Sequence, residues 1–443
     1  MATDLTQIIE KALKSQQIEE YEIYITERNY YENILLKNHI DNEREGSDIE
    51  YTIRILTQQD KQTGIGVTKG NSKHLNDINR SINLALKISK QNIGSKYQFP
   101  TTTDSYKTLS LAEKNVLNNP LEVKNQLSEE LLYYINEQKD VSPTFGRFRI
   151  HIDKLSLKNS NGLNLDSKLT SFFVECALKA QNSNKLSEYW PYLFFKNQDQ
   201  LKFNERIPKW AKLANDTLNA KAPVSKSTTT VIFSPQLIEN ALFPVLNFHS
   251  SAKTFQEGLA DFKPELKIAS NNLTIIDNGL MPGGLHSNSW DGEGNPHQTT
   301  TIIKDGIFKN RLYDQKYALL LKTQSTGNGI RAPDGSVSNG ITNLEILPGN
   351  SSLDDIISEI KEGYLIENCA WVNPSPMTGD FGTLISNGYY IEKGKIQYAV
   401  KGGNVSGNAL KMLMECEILS KERDFAKSCL LPYIAFSGLT ISY

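Results

Sequence analysis

Cysteines, histidines and long apolar runs are scarce in this 443-residue chain, and each scarcity argues against a class of protein. The four cysteines, Cys176, Cys369, Cys416 and Cys429, form no Cys-x-x-Cys pair, which argues against a zinc ribbon and against a disulfide framework. No apolar stretch approaches the ~18 residues that a membrane-spanning helix needs. The opening Met1–Asp4 lacks the charged and apolar regions of a signal peptide, so we expect a cytoplasmic protein without membrane association.

The charges of the chain nearly cancel. There are 48 lysines and arginines against 50 aspartates and glutamates, which gives a formal net charge of −2. The basic residues are scattered and form no stripe, so the sequence gives no support for direct contact with nucleic acid. A hydrophobic content of 39% is typical of a folded globular protein and not of a disordered one.

Two regions with different patterns follow each other along the chain. Residues 1–221 mix helical and strand periodicities, including predicted strands at Tyr21–Thr26 and Asn33–Lys37, which indicates a domain of mixed sheet and helices. Residues 222–443 are richer in strand patterns, which predicts a larger, mostly antiparallel β-rich domain with a few helices. The fold class is therefore α+β, with a boundary at Lys221-Ala222-Pro223.

Short turn and cap signals locate several elements. Dipeptides that tolerate positive φ predict tight hairpins at Asn161-Gly162, Asp305-Gly306 and Lys393-Gly394. Helices are predicted to begin at Ser234, where Pro235 follows, and at Ser352, where Asp355 completes a capping-box-like pair; a third is predicted from Ala409 to Leu419.

Metal and nucleophile chemistry have little support in the residues. A helical zinc site needs two histidines about one turn apart, and no two of the six histidines lie three to five residues apart. The loop from His286 to His297 contains two carboxylates, but its glycines favour a structural loop. Cys369 and Cys429 each lack an evident base, and no Gly-x-Ser-x-Gly elbow occurs. The glycine-rich segment 402–408 matches no phosphate-loop spacing, which favours a tight strand-to-helix turn, although its backbone could cradle a substrate carboxylate.

A series of different short motifs follows along nearly the whole chain. They are Asn159–Gly162, Trp290–Gly294 with Pro296, Leu312–Asp314, Thr342-Asn343, Leu347–Gly349, Thr378–Phe381 and Glu392–Lys395. No single motif is specific, but their order and spacing resemble the TldD/PmbA family, also called the modulator of DNA gyrase family. The family's two branches form a heterodimeric peptidase, and the TldD branch carries His-Glu-x-x-x-His on a helix.

The chain departs from the TldD branch at the metal motif. Phe243, Pro244 and Phe248 stand at about the motif positions, and these side chains can neither ligate zinc nor act as a base. The resemblance therefore implies a TldE/PmbA-type subunit with no catalytic residue, no metal ligand and no cofactor of its own. Zinc is expected only in a TldD-type partner.

The resemblance implies a non-catalytic, groove-forming subunit of a cytoplasmic metalloprotease that degrades or matures peptides. Its partner would be a TldD-type subunit in a heterodimer, or a second copy in a homodimer, and its substrates unfolded peptides that add as a strand to a sheet edge. The groove candidates are Asp291, Glu293, Thr342, Asn343, Thr378, Gly379, Asp380, Phe381, Gly403 and Asn404.

Two alternatives stay open. One is a peptide-binding homodimer that does not cleave. The other is an independent hydrolase with a non-standard metal site in the His286–His297 loop, or with Cys429 as its reactive group. Whether the chain is an enzyme by itself is thus undecided by the sequence. A role in gyrase modulation is implied only by the family's older name.

Overall fold

Residues 2–443 are described by the structure, a computed structural model, with side chains from Asp4 onward. The helices within this range are α1 (Ala2–Ser15), α2 (Leu75–Gln91), α3 (Lys114–Asn118), α4 (Pro120–Asn136), α5 (Phe203–Leu218), α6 (Pro235–Ser250), α7 (Ala252–Gln256), α8 (Gln315–Leu320), α9 (Leu353–Glu359) and α10 (Ala409–Met414). None of the helices in residues 2–443 is long and apolar enough to cross a membrane.

The strands fall into two large sheets and one small hairpin. The first sheet contains β1 (Tyr21–Leu36), β2 (His39–Gln58), β3 (Gln62–Gly70), β4 (Ile93–Ser95), β5 (Ser142–Asn159), β6 (Asn164–Gln181), β7 (Leu186–Tyr189) and β8 (Tyr192–Phe195). The second sheet and the small hairpin contain β9 (Lys226–Phe233), β10 (Ile275–Asn278), β11 (Thr299–Lys304), β12 (Ile307–Phe308), β13 (Gly329–Arg331), β14 (Val337–Asn339), β15 (Leu344–Ile346), β16 (Glu362–Cys369), β17 (Asp380–Glu392), β18 (Lys395–Val400), β19 (Asn404–Asn408), β20 (Cys416–Ala426) and β21 (Cys429–Ser442).

The N-terminal sheet is antiparallel, with strand order β4-β3-β2-β1-β5-β6-β7 and β8 beside β6. The two strands predicted at Tyr21–Thr26 and Asn33–Lys37 are one strand, β1. Its polar middle stays extended because β2 and β5 pair with it on both sides along nearly its whole length. Helices α1 and α2 cover one apolar cluster of this sheet, and α4 and α5 cover another.

The C-terminal sheet closes on itself. Strands β9, β16, β17, β19 and β21 pair in turn, and β21 returns to pair with β9, so the five form a closed circuit. From β21 the sheet continues through β15 to β10, β11 and β12. Helix α6 packs on this barrel-like body. The predicted α+β class, with a larger β-rich C-terminal part, is confirmed.

The sequence predicts a hairpin loop correctly where the two turn residues by themselves determine the backbone conformation. Asp305-Gly306 and Lys393-Gly394 each join adjacent strands through two residues with positive φ, as predicted. The β5–β6 connection differs from the prediction, because it runs over residues 160–163 and only Gly162 has positive φ there. The hairpin exists, but its loop is longer than two residues.

Local capping chemistry predicts the start of α9 but not the end of α10. Ser352 and Asp355 form the expected capping box at the start of α9. The helix predicted from Ala409 to Leu419 stops at Met414, because the chain from Cys416 onward pairs with β21 as the strand β20. Sheet pairing overrides a short helical pattern here.

The predicted boundary at residue 221 lies in the connector between α5 and β9. Lys221 is held there by backbone hydrogen bonds to β18, since its N–H donates to the Ala399 carbonyl and its carbonyl accepts from Lys401 N–H. The division of the chain at this point remains a prediction.

Truncating the buried face of α6 should destabilise the whole C-terminal body. Leu242 is fully buried in its main core, so Leu242→Ala should lower the free energy of unfolding by about 2–5 kcal/mol. The control is Leu84→Ala on α2, where the side chain is 52% exposed and the loss should stay below about 0.5 kcal/mol. Urea unfolding measures both, and equal losses would contradict the placement of α6.

Candidate functional site

Helix α6 occupies the region where the sequence motifs place a metal-binding helix. Pro235 is at its first position, where the missing N–H has no helical partner to lose. The preceding Ser234 adopts an extended N-cap conformation, but its hydroxyl donates to the Glu367 carbonyl at 2.9 Å and not to the helix. The helix start is therefore tied to strand β16. One face of α6 is buried in the core through Leu237, Ile238, Ala241, Leu242, Val245 and Leu246.

The three degenerate motif positions lie on this helix with apolar roles. Phe243 packs partly buried against the main core. Pro244 sits inside the helix, where its ring removes one backbone N–H donor. The Phe248 ring lies 5.1 Å from the ring of His249. None of the three offers a metal ligand.

His249, the histidine nearest to these positions, is already fully hydrogen-bonded. Its Nδ1 accepts from the Asp261 N–H at 3.0 Å, which assigns the proton to Nε2, 3.1 Å from the Met377 carbonyl. Burial lowers the pKa of this imidazole. The ring is thus a neutral structural group, with no nitrogen left for a metal.

The side chains of residues 4–443 do not form a set that fits a zinc ion. Within residues 4–443, no three histidine, cysteine, aspartate or glutamate side chains are grouped so as to hold a metal ion. His286 and His297 share their loop with Asp291 and Glu293, but both carboxylates are engaged elsewhere. Cys429 is fully buried, and burial raises the pKa of its thiol.

A cleft of about 960 Å³ opens beside the N-terminal half of α6. Its walls come from α5 and the β7–β8 region on one side, and from α6, residues 367–373 and the β20–β21 turn on the other. Five acidic and five basic side chains line it, so their charges balance. They are Lys202, Glu205, Arg206, Lys209, Glu239, Glu367, Glu422, Arg423, Asp424 and Lys427.

The charges in this cleft are largely paired with one another. Arg206 makes two hydrogen bonds of 2.7 Å to the Asp424 carboxylate. Lys427 Nζ lies 3.0 Å from an oxygen of Glu239, and burial raises the pKa of that carboxyl. Lys209 pairs with Glu367 at 3.1 Å. Pairing leaves the cleft without a strong field of either sign.

Large aromatic side chains surround the mouth of the cleft. Trp371 is 73% exposed, and Trp190 and Tyr192 are also about half exposed. Deeper in the cleft, the Tyr433 hydroxyl donates to the buried Glu367 carboxylate. Exposed aromatic rings of this kind are enriched where proteins bind other chains.

Two of the predicted groove residues, Asp291 and Glu293, belong instead to the junction between the two sheets. Arg54 of β2 donates to Glu293 at 3.4 Å, to Glu22 at 3.4 Å and to the Tyr97 hydroxyl at 3.0 Å. The Tyr97 hydroxyl in turn donates to Glu293 at 2.8 Å, and Arg331 of β13 pairs with Glu22. This set of five side chains, the junction cluster, is buried.

The carboxyl groups around the junction cluster outnumber its cations. Asp291 accepts from the N–H groups of Gly329, Glu293 and Asn295 at 2.8–2.9 Å, and Asp314 caps α8 through the Tyr317 N–H. Burial, and next the charge of Glu293, raises the pKa of Asp291 and of Asp314 to about 7.

Thr342 and Asn343 hold neighbouring loops together in the interior. Their N–H groups donate to the Asp277 carboxylate at 2.7 and 3.1 Å. The Asn343 side chain also donates to the Asn278 carbonyl and to the Ser287 hydroxyl. Both side chains are buried, and neither lines the large cleft.

The turn Thr378–Phe381 is fastened to the start of α10. The Asn408 side chain donates to the Thr378 carbonyl and to the Asp380 carboxylate, each at 2.7 Å. Gly379 has φ +81°, and Phe381 is buried in the main core. The turn is exposed at Thr378 and Asp380 but lies outside the large cleft.

The remaining groove candidates lie in the β18–β19 turn. Gly403 has φ +65°, and a side chain there would collide with Pro223, whereas Asn404 is exposed on β19. Among the predicted groove and metal-motif positions within the described residues, Pro244 alone lines the cleft. Sequence reasoning missed the aromatic side chains of Tyr189–Tyr192 and Trp371, because a sequence does not show which tryptophans are exposed.

Comparison with known proteins agrees with the sequence motifs. Residues 226–443 match the model of the PmbA/TldA metallopeptidase C-terminal domain. An uncharacterized protein of Methanocaldococcus jannaschii is 32% identical over 52% of this chain and 54% of its own length. A protein named Metalloprotease TldD homolog, from Buchnera aphidicola of Schizaphis graminum, is 29% identical over 52% of this chain and 49% of its own. The chain spans about half the length of these curated relatives.

Solved structures share the fold of the whole chain. TldE from Thermococcus kodakarensis superposes with a TM-score of 0.85 at 20% identity, covering 98% of this chain and 100% of that one. The C-terminal half is therefore a domain of a metallopeptidase family. The fold of the whole chain has been seen before in solved structures. Residues 226–443 belong to the TldD/PmbA family.

Neutralising Asp314 should change how stability depends on pH. Its carboxyl has a folded pKa of about 7, above the usual 3.8, so the stability it contributes is present at low pH and is lost as the pH rises through about 7. Asp314→Asn keeps a side-chain oxygen for the α8 cap. Between pH 5 and pH 8, the wild type should lose about 1–3 kcal/mol more than this variant.

Urea unfolding of both proteins at the two pH values measures that difference. The conservative Asp334→Asn, at an exposed carboxyl, is the control and should follow the wild type from pH 5 to pH 8. If Asp314→Asn and the wild type lose the same free energy, Asp314 carries no proton in the folded protein at pH 5.

Proposed function

We propose that this chain is the non-catalytic, substrate-binding subunit of a TldD/TldE-type metalloprotease that acts on peptides, and that it belongs to the TldE/PmbA branch. One observation carries the proposal. Helix α6 has Phe243, Pro244 and Phe248 at the metal-motif positions, yet Pro244 borders a cleft large enough for a peptide segment. The site has kept a concave surface while lacking the ligands for a metal.

The chemistry of the cleft suits unfolded peptides of varied sequence. Its charges are paired, so it selects for neither an acidic nor a basic ligand, and the aromatic rim offers apolar contact area. Two strands lie at its wall: β8 pairs with β6, and β20 pairs with β21 and is bridged on its other edge at Ser420 to Ser351. A peptide can add to such an edge through backbone hydrogen bonds that do not depend on its side chains.

A partner must supply the zinc in this proposal. Several relatives are named metalloproteases, including TldD homologs, whereas α6 here offers no ligand set. We therefore assign to this chain the binding and orientation of the peptide, and to a TldD-type partner the hydrolysis. A second copy of this chain remains the alternative partner.

Mixing experiments test the division of labour. The purified chain alone should hold no stoichiometric zinc and cleave no unstructured peptide. After mixing with a TldD-type protein that carries His-Glu-x-x-x-His, a complex should form on size exclusion and cleavage should exceed that of the partner alone by at least about tenfold, because the cleft positions the peptide. Zinc analysis, chromatography and a fluorogenic peptide assay give the three readouts.

Other outcomes of the mixing experiment discriminate between the alternatives. Cleavage by the chain alone with stoichiometric zinc would establish an independent hydrolase. If this chain forms a dimer that binds peptide but forms no complex with the TldD-type protein, the non-cleaving homodimer would be established. Either result would overturn the proposal.

The aromatic rim should contribute much of the peptide affinity. Trp371→Ala removes a large exposed ring at the cleft mouth and should weaken binding about tenfold, or about 1.4 kcal/mol. Tyr133→Ala is the control, since Tyr133 is 60% exposed on α4 and outside the cleft. Anisotropy of a labelled unstructured peptide measures both, and equal affinities in the two variants would remove the cleft from the proposal.

A further inference from the structure

A second cleft, of about 670 Å³, lies between the N-terminal sheet and the loop that follows β10. One wall is formed by residues 108–115 and 196–199, and the other by residues 280–284 with Ser287. It shares no lining residue with the large cleft beside α6. Its volume is in the range of small-molecule binding sites.

Lys196, directly after β8, lines this cleft although its side chain is almost completely buried. The residue is only 3% exposed. Within residues 4–443, no ion pair or side-chain hydrogen bond engages its ammonium group, and the one carboxylate that acts on its charge is Asp153. Asp153 is already bonded to Arg28, at 2.9 Å. A buried cation without a partner is uncommon in folded proteins.

The other charged groups of the cleft do not supply the missing partner. Glu113 is held by Gln198, which donates to it from its backbone N–H at 2.8 Å and from its side chain. Asp199 is exposed at the rim. The imidazole of His286 lies outside the cleft lining; burial, and also the charge of Lys196, lowers its pKa, and it adds no negative charge. Lys196 therefore faces a cavity in which an anion would be its first close counter-charge.

We propose that this second cleft binds a small carboxylate-bearing ligand, with the Lys196 ammonium as the group that recognises the carboxylate. A carboxylate is a compact anion that a single lysine can engage with two or three hydrogen-bond donors. The ligand is either a free small carboxylic acid or the C-terminal carboxylate of a peptide. The site does not depend on the function proposed for the large cleft.

The burial of Lys196 also makes the charge of its ammonium group depend on pH near neutrality. Burial lowers its pKa from 10.5 to about 8, so most molecules carry the charge at pH 7 and few carry it at pH 9. A bound carboxylate needs the charged form, so affinity should fall as the pH rises through about 8. In the empty protein, the buried charge opposes folding below that pH, so removing it should stabilise the fold.

Calorimetric titration of the full chain tests the proposal. The probes are sodium succinate, N-acetyl-alanyl-alanine and the amide of the same dipeptide. One of the two carboxylates should bind the wild type one to one at pH 7 and at least tenfold more weakly at pH 9, whereas the amide should not bind. Binding of succinate alone identifies a free acid as the ligand, and binding of the dipeptide identifies a peptide C-terminus.

Variants separate recognition from folding. Lys196→Met should lose at least tenfold in affinity while its Tm at pH 7 rises by a few degrees, and Lys196→Gln should lose affinity likewise. The control Lys168→Met removes an exposed lysine of β6 and should bind as the wild type does. Absence of binding by both carboxylates at millimolar concentration, or unchanged binding in Lys196→Met, overturns the proposal whatever the outcome of the peptidase assays.

Discussion

The buried ion pairs of the junction cluster fix how the two sheets meet. Arg54 reaches from β2 between Glu22 of its own sheet and Glu293 of the loop that joins β10 to β11, and Tyr97 bonds to both Arg54 and Glu293. A guanidinium buried this deeply is tolerated only when its charge and its N–H donors are matched, so the loop carrying Glu293 cannot shift without a large penalty. Both clefts are walled by elements of the two halves, so their shapes depend on this junction.

The same junction gives the family motif around Asp291 a structural role that its sequence does not reveal. Short polar motifs rich in glycine are typical of binding loops, yet here Asp291 folds its own loop and Glu293 anchors the opposite sheet. The neighbouring residues in the sequence do not show whether a carboxylate pairs with a buried arginine of the same chain or binds a substrate. Only the partner 239 residues away distinguishes the two.

The large cleft lies beside the helix where a metal motif is expected. Aromatic and proline side chains stand at the expected motif positions on α6, and the concave surface next to them has paired charges and an aromatic rim. Lys196, in the second cleft, shows the opposite arrangement: its ammonium group forms no ion pair within the described residues, and Asp153 alone acts on its charge from beyond ion-pair distance. The first surface is suited to extended chains of any charge, and the second to one anionic group.

The sequence by itself determined what depends on a few adjacent residues. The φ values of Asp305-Gly306 and Lys393-Gly394, the capping box of α9, the α+β class and the absence of a histidine pair on α6 all follow from local chemistry. Tertiary structure decided what depends on distant partners. It joined two predicted strands into β1, turned the end of a predicted helix into β20, and built both clefts from segments far apart in the chain. Burial and strand pairing stabilise the fold only after segments that are distant in the sequence have come together. A short stretch of sequence does not show which segments will meet.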